Sequence, residues 1–110
     1  MKMKEKVETI LGGFLERNKD YAIGVYVRNG KAGNIIVYSL IPIDRDIILG
    51  EKKYSVSANA GNIKCCNNIS LQYDVILDCY EERDEYNSQT VHVIMKNGMK
   101  FEFECCGLRV

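Results

Sequence analysis

Residues 90–106, TVHVIMKNGMKFEFECC, alternate apolar and polar positions on both sides of Asn97-Gly98. That is the pattern of a β-hairpin closed by a tight turn. A two-residue loop would set Val93 against Glu102 and Lys96 against Met99. A three-residue loop, Lys96-Asn97-Gly98, instead sets Met95 opposite Met99, Val93 opposite Phe101 and Val91 opposite Phe103. A slip of one residue moves every side chain to the other face, so the pattern selects the second register. It predicts a positive φ at Gly98, where a Cβ would be costly. It also predicts a core face of Val91, Val93, Met95, Phe101 and Phe103. His92 falls on the opposite face with Glu102 as its cross-strand neighbour, and is expected to be exposed.

The period changes at the N-terminus. Met3, Val7, Ile10, Leu11, Phe14 and Leu15 follow helical spacing, with Lys4, Glu5, Glu8 and Glu16 on the other side, which predicts an amphipathic helix ending near Arg17-Asn18. Gly12-Gly13 weakens it by about 1 kcal/mol per glycine, so it needs tertiary packing to hold. The same glycines would let it lie close against a sheet.

Between helix and hairpin the chain reads as strands and turns. Tyr21–Arg28 is β-branched and aromatic, a first strand. Residues 29–34, with two glycines, form a turn. Ile35–Ile41 is a second strand, apolar on both faces and stopped by Pro42, which has no N–H for a ladder. A strand of that kind is covered on both sides, which points to a barrel-like sheet or a subunit interface. Ile47-Ile48-Leu49 is a short apolar piece ended by Gly50, and Lys53–Ala58 a further strand. Residues 59–62 form a turn, and Ile63–Cys66 a short strand or connector. Ile69–Tyr80 is the longest period-two run, with Val75 and Leu77 on its inward side, and Glu81–Gln89 a charged loop or hairpin end. The sum is α+β: an N-terminal amphipathic helix packed on a curled, barrel-like, mainly antiparallel sheet of about six strands.

Composition narrows the function classes. At 110 residues the chain fits one domain, 1–110, long enough for a single core that buries roughly two-thirds of the unfolded surface. Fifteen basic and fifteen acidic side chains cancel, which disfavours a protein built to grip nucleic-acid phosphates. No apolar run approaches the roughly 20 residues of a membrane helix. The opening MKMKEKVETI lacks the apolar segment of a secretory signal, so a cytoplasmic protein is expected. Five cysteines, an odd number clustered as Cys65-Cys66, Cys79 and Cys105-Cys106, do not form a disulfide framework and read as small apolar residues.

Candidate chemistry is sparse. The single histidine, His92, has no thiol beside it in the hairpin register, so no catalytic pair is expected. The five cysteines and His92 lack the C-x₂₋₄-C knuckle of structural zinc, and no metal or cofactor is expected. The glycines at 12–13, 30 and 33 lack the context of a phosphate-binding loop.

The acidic run Glu81-Glu82-Arg83-Asp84-Glu85, flanked by Tyr80 and Tyr86, reads as a partner-facing patch, since aromatic anchors beside charges are common in interfaces. These features predict a small non-catalytic binding protein acting through protein–protein contact. An accessory or inhibitor protein encoded by a phage or mobile element, blocking a host enzyme or defence system, would fit them. Two other readings stand beside it. One is a small β-barrel binding RNA or single-stranded DNA through Tyr26, Tyr54 and the lysines at 31, 52, 53 and 64. Its outline is loosely similar to Sm-like and oligonucleotide-binding barrels, though no motif of either is present. The other is a homo-oligomer that binds a small ligand between subunits through Ile35–Ile41.

Overall fold

The computed structural model describes residues 2–19, 21–29, 35–39, 45–56 and 69–109. The turn expected at 59–62, the strand expected at 63–66 and both Cys65 and Cys66 lie outside them. So do residues 40 and 41 of the expected second strand.

Residues 3–17 form one helical run: α1 (Met3–Val7), a π-helical turn (Glu8–Gly12) and α2 (Gly13–Arg17). The Gly13 N–H reaches back to the Glu8 carbonyl, widening the helix by one residue where its glycines sit. Val7, Leu11, Phe14 and Leu15 all remain buried. Asn18 ends the run as predicted. Both its backbone N–H (3.1 Å) and its side-chain Nδ2 (2.8 Å) donate to the Phe14 carbonyl, satisfying an acceptor that the helix leaves unpaired.

Eight strands follow among the described residues: β1 (Tyr21–Asn29), β2 (Ile35–Ser39), β3 (Arg45–Leu49), β4 (Lys52–Val56), β5 (Ile69–Leu71), β6 (Ile76–Arg83), β7 (Gln89–Met95) and β8 (Met99–Arg109). They form two sheets rather than one. A five-stranded sheet runs β2-β1-β8-β7-β6, antiparallel throughout. A three-stranded sheet runs β4-β3-β5, with β3–β4 antiparallel and β3–β5 parallel. The class is α+β, but among the described residues the expected barrel-like closure is absent: β2 and β6 end the larger sheet without meeting.

The cause lies in the run from Ile69 to Tyr80, which does not make one strand. A 3₁₀ turn at Tyr73–Val75 interrupts it, sending β5 to pair with β3 and β6 to pair with β7. Tyr73 anchors the break. Its hydroxyl lies 2.9 Å from the Leu49 carbonyl and 3.0 Å from a Glu8 carboxylate oxygen. One of the two takes its proton. The ring covers Gly50, whose φ is +63° and whose N–H donates to the Leu71 carbonyl at 2.9 Å. A Cβ there would run into the Tyr73 ring. The turn changes the phase, and a register shift between Ile76 and Asp78 restores it at the buried Cys79. Ile76 takes the core position, while Val75 and Leu77, expected inward, are 44% and 60% exposed.

The C-terminal hairpin matches its prediction. Val93 pairs with Phe101 and Val91 with Phe103, and Gly98 has φ +91°. The core gathers Val91, Val93 and Phe103, the helix residues Leu11 and Phe14, Ile23 and Val25 of β1, and Ile47, Leu49 and Leu71 of the smaller sheet. Helix and smaller sheet thus share one face of the larger sheet. Its other face carries Tyr26, Arg28, Tyr80, Glu82, His92, Lys100 and Glu102 by strand alternation.

Candidate functional site

The charged stretch forms the end of the β6–β7 hairpin. β6 continues through Glu81, Glu82 and Arg83, and only residues 84–88 turn. The turn is held by Asp84. Its Oδ1 accepts the N–H groups of Tyr86 and Ser88, both at 2.9 Å. Its own N–H donates to the Ser88 carbonyl at 3.1 Å, and its carbonyl accepts from Asn87 at 3.0 Å. Asn87 takes φ +63°, a conformation that asparagine tolerates better than most residues. Glu85 and Tyr86 therefore sit at the tip of an ordered turn, and Tyr86 is 82% exposed.

Strand alternation divides the acidic run. Glu81 lies opposite Val91 and Arg83 opposite Gln89, so both point to the helix side of the sheet. There they line an open cavity of about 410 Å³ with Thr9, Ile10 and Arg17. Arg17 donates to Gln89 Oε1 at 3.2 Å, and Gln89 donates in turn to Glu81. Tyr80 lies opposite His92 and Glu82 opposite Thr90, which places them on the other face. The seven residues form one hairpin arm with two chemically different sides.

His92 corrects the expectation of exposure. It is on the predicted face with the predicted neighbour Glu102, yet only 6% exposed. The Tyr80 ring stacks on it with centroids 4.8 Å apart and planes 11° from parallel. Nε2 is 3.5 Å from Glu82 Oε2, and Nδ1 is 3.8 Å from Glu102 Oε1. Among the described residues neither ring nitrogen has a hydrogen-bond partner. Glu102 also draws Arg28 Nε at 3.1 Å and Lys100 Nζ at 3.8 Å, while Lys100 lies 5.9 Å above the Tyr80 ring. Burial pushes the His92 pKa down, reinforced by the Lys100 charge and opposed by Glu82 and Glu102. The Tyr80–His92 stack escaped the sequence reading because β6 could not be placed beside β7 until the turn was known to hinge on Asp84.

The cysteines divide likewise. Cys79 is buried in the core, opposite Val93, and burial pushes its pKa up to about 11. It is a protonated thiol at neutral pH and faces away from His92. Beside it, Asp78 takes a charged hydrogen bond from Lys6 at 2.6 Å and one from the Cys79 N–H at 2.8 Å, which together hold its carboxyl below the usual range. Cys105 is partly buried. Among the described residues no group of three or more His, Cys, Asp and Glu side chains is placed to hold a metal ion.

The nucleic-acid reading relied on Tyr26. Its hydroxyl donates to Glu104, on the face that carries Glu82 and Glu102 together with Arg28 and Lys100. Lys31 and Lys64 lie outside the described residues, as do the side chains of Tyr54 and of β2, on which the subunit-interface reading rested. Among the described residues no helix is long and apolar enough to cross a membrane. No protein family, curated protein or solved structure matches the chain.

Proposed function

We propose that the chain is a small non-catalytic binding protein, of accessory or inhibitory type, that engages a protein partner through the tip of the β6–β7 hairpin. The observation that carries this reading is Tyr86, 82% exposed on a turn already ordered by Asp84. A large aromatic whose backbone is already fixed loses less conformational entropy on docking than one on an unordered loop. Tyrosine is also among the residues that most often dominate binding energy. Glu81, Glu82 and Glu85 surround the turn with negative charge, so the complementary partner presents an apolar pocket with a basic rim. The non-catalytic part is supported by Cys79, which is a protonated thiol on the sheet face opposite the one that carries His92.

Affinity capture from the source cell with wild type and with Tyr86→Ala tests the reading. The expected result is a protein retained by the wild type and lost by the variant at unchanged melting temperature, with affinity reduced about 30-fold as for a 2 kcal/mol hot spot. Triple reversal of Glu81, Glu82 and Glu85 to lysine should also weaken retention. Equal capture by wild type and both variants would refute the proposal.

A further inference from the structure

Among the described residues His92 is the one buried polar side chain, and the two carboxylates beside it match the hydrogen bonding of the protonated ring, whereas burial favours the neutral one. Glu82 faces Nε2 and Glu102 faces Nδ1, at 3.5 and 3.8 Å. Ionised carboxylates only accept hydrogen bonds. A neutral imidazole has one N–H and one lone pair, so one of its nitrogens always confronts a carboxylate with a lone pair. The imidazolium has two N–H donors and matches both carboxylates. Opposing this match are burial, the cation Lys100 from β8, and Arg28 from β1, which holds Glu102 at 3.1 Å. Tyr80 closes one ring face from β6. Glu104 of β8, next along this face, is engaged by Tyr26.

The two carboxylates differ in freedom. Glu102 is tied to Arg28 and Lys100. Glu82 has a side chain 64% exposed and, among the described residues, no ion-pair partner other than His92. We propose that His92 is a one-proton latch on Glu82: protonation makes the ring a two-donor cation that draws the Glu82 carboxylate out of solvent and onto the sheet. Falling pH then withdraws one acidic group from the hairpin arm. The consequence for a partner rests on the function proposed above. The latch itself does not.

Side-chain NMR of the isolated full-length chain between about pH 4 and 8 tests it without any partner, a range extended below the ordinary histidine value because burial pushes His92 down. The expected result is a shared inflection, with the Glu82 carboxyl resonance moving as His92 titrates. Glu82→Gln, an exposed substitution, should lower the His92 midpoint by about half a pH unit, the worth of a partly exposed ion pair. Glu85→Gln should leave it in place. A His92 titration to which Glu82 is silent would overturn the latch, as would a midpoint unmoved by Glu82→Gln or moved equally by Glu85→Gln. These outcomes are independent of whether Tyr86→Ala abolishes capture, so the latch and the binding reading fail separately.

Discussion

Along β7 the two faces of the larger sheet can be compared one residue apart. Val91 and Val93 point into the core, and His92 between them points the other way, yet all three are buried. The valines are buried by elements distant in sequence: the helix, β1 and the smaller sheet. His92 is buried by side chains of its own sheet, Tyr80 beside it and Glu82, Lys100 and Glu102 around it. Burial of the first kind excludes water and rewards apolar area. Burial of the second kind leaves polar atoms within a side chain's movement of water, and makes the environment sensitive to charge.

The sharpest test of that difference removes a large side chain from the core face. Phe103 is fully buried, opposite Val91 and Val25, with its ring stacked on Phe101 at 6.5 Å. It exposes no surface, so the space it would leave is enclosed by apolar side chains. Phe103→Ala should cost about 3–5 kcal/mol, transfer and cavity together, read from chemical denaturation. A loss below about 1 kcal/mol would mean that the core collapses around the gap, and the contrast between faces would disappear.

The core face was legible in the sequence because one signal determined it. Two apolar runs of period two around Asn97-Gly98 admit a single register, and the Gly98 φ follows from it. The N-terminal helix was legible for the same reason, at period 3.6, although the π-helical turn at Glu8–Gly12 was not. Periodicity misled where a tertiary contact outranked it. Ile69–Tyr80 alternates as one strand would, but Tyr73 is fixed by Leu49 and Glu8 from elsewhere in the chain, and the run breaks there. His92 shows the other limit. Alternation assigns a side chain to a face and says nothing of what covers that face. The cover here comes from β6, whose alignment with β7 depends on a turn specified by side-chain acceptors rather than by glycine. The candidate site was legible as a list of residues, but its division between two faces was not.

A second test uses the proton. His92 has its folded pKa below the ordinary value of 6.5, so between the two values the unfolded chain binds more protons than the folded one. Stability therefore falls as pH drops from above 6.5 toward the lower folded value, and levels off below both. The slope from this one group is at most about 1.4 kcal/mol per pH unit. His92→Gln should flatten the dependence of the denaturation midpoint on pH in that window, whatever it does to stability at pH 8. Val93→Ala, next along the strand but on the core face, should lower stability by about the same amount across the window. If the two variants shift the curve in parallel, the faces do not differ in their sensitivity to charge.

The smallest expected effect separates the two kinds of burial most directly. Tyr80→Ala removes the ring stacked on His92, as Phe103→Ala removes one stacked on Phe101. On the polar face the space opens toward solvent, so water can enter and bond the orphaned ring nitrogens. The lost stacking and area should then cost only about 1 kcal/mol. Water access also relieves the desolvation that holds the His92 pKa down, so its midpoint should rise toward the ordinary histidine value in NMR titration. The two readouts are linked: a modest cost with a raised midpoint means that the vacated site is wet. A cost as large as that of Phe103→Ala with an unmoved midpoint would mean that the site stays dry, and that His92 is enclosed as completely as the valines on either side of it.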